Sequence, residues 1–182
     1  GTIEFRLSAN QNVILANLAE ADKNTITALL GEHGVKTENQ ASVLHSAALA
    51  CPALPTCGLA LAESERMLPG LIDRIEALCA EIGLAGEEII IRSTGCPNGC
   101  ARPYMAEIGF VGKAPGRYQL WLGGNTAGTR LNRLWKDVVK DAEIENELRP
   151  MLARFATERR PSERFGDWCE RVLLKEAPAP QN

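Results

Sequence analysis

Two short cysteine pairs constrain this chain more than any other feature. CPALPTC runs from Cys51 to Cys57 and CPNGC from Cys96 to Cys100, a C-x5-C and a C-x3-C separated by 38 residues. A fold that uses them together has to bring two distant loops to one place. The other two cysteines read differently. Cys79 lies among apolar neighbours in LIDRIEALCAEIGL and Cys169 in DWCERV, and both are expected to pack as small buried hydrophobes.

Three uses of the paired thiols can be weighed. Six cysteines could form three disulfides, but no signal peptide is visible and the acidic, helix-rich composition does not resemble a small stapled scaffold. A structural zinc site favours C-x2-C or C-x4-C pairs, often with histidine. His33 and His45 stand apart from the pairs, and His45 is expected on a helix surface. Four thiolates without histidine suit a [4Fe–4S] cluster better. The residues between the thiols agree: Gly58, Gly95 and Gly99 carry no Cβ to hold the backbone away from a cluster, Pro97 fixes a torsion, and Asn98 tolerates unusual torsions and offers an amide. A non-catalytic iron–sulfur or zinc-stabilised module stays open as the alternative.

Charge adds a second constraint. The net charge is −3, yet Arg92, Arg102, Lys113, Arg117, Arg130, Arg133 and Lys136 fall in one window with a single acid, Glu107. That +6 segment contains CPNGC, so an anionic ligand near the thiols is expected. No run approaches the roughly 18 apolar residues of a membrane helix. Neither a membrane nor a nucleic acid is expected as a partner. At 182 residues the chain is one domain, or one domain plus a fragment. It opens on GTIEFRL without an initiator methionine and reads as a piece of something longer.

Along the chain, TIEFRL alternates as a strand, SANQ connects, and NVILANL reads as a second strand. A short helix follows, capped at Asp22 or Asn24 and ended by Gly31 or Gly34; polar VKTENQ is a candidate boundary. SVLHSAALA is expected to be a helix running into Cys51, and LALAESERML a helix that stops near Pro69. LIDRIEALCAEIGL is amphipathic, with Leu71, Ile75, Leu78 and Ile82 on one face. EEIIIRS is a buried strand leading to Gly95, and AEIGFVG and GRYQLWLGG form a hairpin through KAPG. Beyond Gly128 the pattern is mostly helical, with Pro150 expected to kink or split the stretch from Asp141 to Arg159.

The full pattern resembles a known family. CPALPTC and CPNGC, with EFRLSANQN, GLALAESERMLPGLIDRI, STGCPNGCARPYMAEIGFVGKAPGRYQLWLGG, GTRLNRL and FGDWCERV, is similar to the C-terminal part of assimilatory sulfite reductase hemoproteins, from residue 3 to about 173. The resemblance implies that Cys51, Cys57, Cys96 and Cys100 hold a [4Fe–4S] cluster, with Cys100 also the axial ligand of a siroheme iron. Asn98 and Arg102 are the implied cofactor contacts, the basic window facing siroheme carboxylates. It implies six-electron reduction of sulfite to sulfide, with nitrite reductase of the same architecture as the rival. Electrons come from an NADPH flavoprotein subunit or from ferredoxin. Substrate-gripping basic residues belong to the N-terminal half of such enzymes, so the chain by itself is expected to be inactive. The expected setting is cytoplasmic, or a plastid for a plant-type parent. The expected fold is α+β: a mixed sheet with packed helices carrying the cluster in loops (41–175), preceded by a ferredoxin-like half-domain remnant (1–40) and followed by a disordered tail (176–182).

Overall fold

A computed structural model describes residues 3–8, 12–36 and 41–176. Most of SANQ, most of VKTENQ and all but the first residue of the expected tail lie outside the described residues. The chain divides into two compact units, Gly1–Ala41 and Ser42–Asn182.

The first unit holds β1 (Glu4–Leu7), β2 (Val13–Ala16) and α1 (Lys23–Glu32). The strands form an antiparallel pair with Phe5 opposite Leu15 and Leu7 opposite Val13. The helix starts beside Asp22, whose side chain makes no capping bond, and runs through Gly31. None of the described residues of these three elements is buried.

The second unit is built on a five-stranded mixed sheet, as the α+β reading expects. In spatial order it contains β3 (Leu49–Ala50), β4 (Ile91–Thr94), β5 (Ile108–Ala114), β6 (Arg117–Leu122) and β7 (Arg133–Lys140). The first three strands run parallel and the last three antiparallel. α2 (Val43–Ala47) precedes β3, α3 (Leu68–Glu81) connects β3 to β4, and α4 (Ile144–Glu158), α5 (Phe165–Arg171) and α6 (Leu173–Glu176) close the chain. One core joins α3, the inner face of the sheet and the last helices: Leu71, Ile72 and Ile75 meet Ile91, Ile108, Phe110, Leu120 and Leu122, with Leu148, Leu152, Phe155, Phe165 and Trp168 behind. Each such side chain contributes about 1.5–3 kcal/mol by leaving water. On α3 the expected face is correct for Leu71, Ile75 and Leu78, while Ile82 lies half-buried at the helix end.

Three expected helices are corrected. SVLHSAALA is helical only to Ala47, with Ser42 capping it through an acceptor bond from the His45 N–H; the rest straightens because Leu49 and Ala50 pair with Arg92 and Ser93. LALAESERML forms turns, because the N–H groups of Leu61 and Ala62 donate to Gly95 O and that of Glu65 to Cys51 O. These long-range acceptors replace the i−4 carbonyls a helix would need. Pro69 consequently opens α3 rather than closing a helix before it, a position where its missing N–H leaves nothing unpaired. Beyond Gly128, RLWKDVVK is a strand held on β6. Pro150 lies inside α4 without splitting it, since Leu148, Met151, Leu152 and Phe155 on both sides of it are buried in the same core.

Candidate functional site

The two cysteine loops leave the same edge of the sheet. β3 and β4 are parallel neighbours with Ala50 opposite Ser93, so Cys51 and the Gly95–Cys96 step emerge side by side. The Cys51 N–H donates to Ser93 O at 3.2 Å, and the Gly95 N–H donates to Cys51 Sγ at 3.3 Å. Gly95 O in turn accepts from Leu61 at 2.8 Å and Ala62 at 3.1 Å. A Cβ on Gly95 would lie 2.6 Å from Ala53 Cβ and 2.7 Å from Ala62 O. The glycine is required by protein packing, whereas a Cβ on Gly58 would meet nothing within 4 Å.

Within the first loop, the Cys57 N–H donates to Ala53 O at 2.7 Å, and Ala53 is buried with a left-handed φ of 50°. In the second, Gly99 takes φ 68° and Arg102 φ 56°, turning the chain back through an Arg102 N–H bond to Gly99 O of 2.7 Å. Tyr104 latches this turn. Its hydroxyl donates to Pro97 O at 3.1 Å, and its ring meets Trp121 of β6 edge-on at 5.0 Å. The sequence reading missed Tyr104; its only signal was an aromatic directly after a Pro in a loop.

All six cysteines are free thiols. Cys96 is buried, Cys51 and Cys57 are half-buried, and Cys100 is exposed, as is Asn98. The remaining two behave as expected of core residues: burial pushes the Cys79 thiol up to about 11, with Glu76 adding to it, and raises Cys169 well above its ordinary value. His45 is half-buried, with Nε2 3.4 Å from Asp73 and Nδ1 3.8 Å from Glu76, both on α3. These three are the group of His and acidic side chains close enough together to hold a cation among the described residues.

The basic window is less open than its formal charge suggests. Lys113 pairs with Asp137, Arg130 with Asp167, Arg133 with Glu170 and Lys136 with Glu147. Arg92 lies beside CPNGC, with its Nη1 donating to Arg102 O at 3.4 Å. Several buried hydroxyls in the strands and loops that carry the thiols also lack partners: Ser64 Oγ, Ser93 Oγ and Thr94 Oγ1. A buried donor without an acceptor costs about 1–3 kcal/mol.

No protein-family model matches the chain. Curated relatives do, and they bear out the resemblance to sulfite reductase hemoproteins. The chain is 54% identical over 91% of its length to the sulfite reductase [NADPH] hemoprotein beta-component of Chromohalobacter salexigens. It is 50% identical over 94% to that of Acidithiobacillus ferrooxidans and 49% identical over 97% to that of Bacillus subtilis. It spans about 30% of the length of these relatives, at 28%, 30% and 31%. Among solved structures, the NirA protein of Mycobacterium tuberculosis matches 92% of the chain at a TM-score of 0.71 and 24% identity, covering 32% of that protein; this likeness supports the α+β fold.

Proposed function

We propose that this chain is the cofactor-binding part of a sulfite reductase hemoprotein, in which Cys51, Cys57, Cys96 and Cys100 hold a [4Fe–4S] cluster. The observation that carries the reading is the junction of the two loops, where the Gly95 N–H donates to Cys51 Sγ one residue before Cys96. The donor set fits: four free thiols without histidine, carried by the two loops that follow the neighbouring strands β3 and β4. When bound, the cluster and a siroheme would supply the single-electron delivery and the open iron that six-electron reduction of sulfite to sulfide requires.

The polypeptide's part is positioning and field. Backbone N–H groups such as that of Gly95 stabilise negative charge on thiolate sulfur and raise the potential of the bound centre. Cys100, exposed at the end of its loop, would hold the siroheme as well as the cluster. Asn98 and Arg102 form the adjoining cofactor edge. Substrate anion would be held by basic residues of the N-terminal half of the enzyme. The first 40 residues belong to a ferredoxin-like half-domain. The names of the relatives favour sulfite over nitrite and NADPH over ferredoxin as the source of electrons. Among the described residues no helix is long and apolar enough to cross a membrane. Four cluster-holding thiolates would need a reducing setting, which the cytoplasm provides.

Anaerobic reconstitution tests the assignment. Iron and acid-labile sulfide should bind in equal amounts, about four of each per chain. Serine at position 51, 57, 96 or 100 should abolish that content, while Cys79→Ser and Cys169→Ser retain it. Stoichiometric zinc without sulfide, or full cluster content in Cys51→Ser, would sink the reading.

A further inference from the structure

Arg92 stands on the face of the sheet opposite the core. Ile91 and Phe110 point into the core, so by strand alternation Arg92 and Thr94 point the other way. Opposite Arg92 on β5 is Gly109, and a Cβ there would strike Pro103 O at 2.5 Å. The Arg102–Ala106 segment therefore lies directly on this face, and Arg92 sits beneath the turn that follows Cys100.

The donors on this face are not satisfied by the protein. Arg92 Nε is buried and has no partner, and among the described residues Arg92 has no carboxylate partner; its one bond is the 3.4 Å contact to Arg102 O. Thr94 is fully buried and its Oγ1 also has no partner. The nearest charge is of the same sign: burial first, then the Arg102 guanidinium, holds Arg92 below its ordinary pKa. The missing carboxylate is what sets Arg92 apart: half-buried Arg159 is matched to Glu87 and Arg164 to Glu88 and Glu107, although Arg164 Nε, like Arg92 Nε, has no partner. A half-buried guanidinium that lies beside a like charge and has no carboxylate of its own is an incomplete arrangement.

We propose that Arg92, with Thr94 beside it, is a carboxylate-receiving subsite that fixes one peripheral carboxylate of the macrocyclic cofactor seated against the Cys96–Cys100 loop. This rests on the function proposed above and adds a residue that the cysteine pattern does not reveal. A planar guanidinium donates two parallel hydrogen bonds to a carboxylate, which would set the orientation of a flat ligand as well as its affinity. Arg92 is thus a positioning residue.

The test uses holoenzyme purified with its cofactors. Siroheme per cluster is read from its absorption against acid-labile sulfide, and its release is followed after dilution. Arg92→Gln should release siroheme about tenfold faster, the loss expected of one charge-assisted pair. Arg92→Lys should restore part of the hold, because charge returns without the fork. Thr94→Val should have a smaller effect in the same direction, and Arg149→Gln, on α4, none. Sulfide and iron content should stay at the wild-type level in all four variants, which separates cofactor seating from loss of the fold. Unchanged siroheme content and release in Arg92→Gln, or equal losses in Arg92→Gln and Arg92→Lys, overturns the inference while leaving the cluster assignment intact. A wild-type holoenzyme with a cluster and no siroheme overturns the parent reading instead, and this subsite with it.

Discussion

Gly95 joins two loops that are far apart in sequence. Its N–H reaches Cys51 Sγ, its carbonyl takes the N–H groups of Leu61 and Ala62, and its α-carbon lies where Ala53 and Ala62 leave no room for a methyl. Gly95→Ala should therefore destabilise the fold by about 1–3 kcal/mol, the usual range for overpacking. It should also lower the iron and sulfide retained after anaerobic reconstitution, since the loops must part. Gly58→Ala, which meets open space, should stay within about 0.5 kcal/mol of wild type in thermal melts. Equal behaviour of the two variants would refute this account of Gly95. The sequence showed that each glycine sat beside a thiol, and nothing local distinguished them. Ala53, Ala60 and Ala62 lie more than 30 positions away from Gly95, and a steric demand at that range leaves no periodicity to read. The four thiols were legible because their spacing is a chemical pattern. Arg92 and Tyr104 were not singled out, because their roles depend on which strand lies beneath which turn.

Elements were legible where one local pattern decided them. α3 shows a 3.6-residue apolar period and β5–β6 a hairpin turn, and both are where the sequence placed them. The misread elements were settled by partners elsewhere: β3 exists only because β4 lies next to it, and β7 because β6 offers an edge. The segment joining α4 to α5 shows the same dependence in its electrostatics. Glu163 accepts from Arg171 Nε at 2.6 Å and Nη2 at 2.7 Å, and from the Arg160 N–H at 2.8 Å. Bonding to Arg171, against a smaller opposing effect of burial, holds this carboxyl at about 2, below its ordinary 4.5. A carboxyl depressed in the folded state stabilises that state above the unfolded value and loses this contribution as it protonates. The stabilisation is thus complete above about pH 5 and fades between 4.5 and 2 as acid is added. Arg171→Gln should lower the melting temperature at pH 7 and flatten its fall across that acid window, as followed by circular dichroism. An acid limb as steep as that of wild type would exclude Glu163 as a contributor.

At the scale of the whole molecule the two units differ in what holds them. The core of the second runs from Leu44 to Leu173 and includes fully buried Trp168, Tyr118, Phe110, Phe155 and Phe165. In the first, Phe5, Leu7, Val13 and Ile14 are 74%, 84%, 60% and 51% exposed. Apolar burial contributes about 25 cal/mol per Å², so side chains this exposed add little, and a lone two-stranded pair is marginal in water. Backbone bonds along β1 and β2 do not make up the difference, because the same groups bond to water when the strands part. Opening of the first unit should cost far less than opening of the second, and brief proteolysis should show it. Chymotrypsin, which cuts after Phe and Leu, should cleave first within residues 3–36, the last site there being Leu30, and leave a resistant product beginning at Gly31. That product should melt within a few degrees of the intact chain, because its core residues are all its own. Protection of the first unit to the same protease dose as the second, or a large drop in melting temperature on its removal, would mean that the exposed strands are held by something other than their own packing.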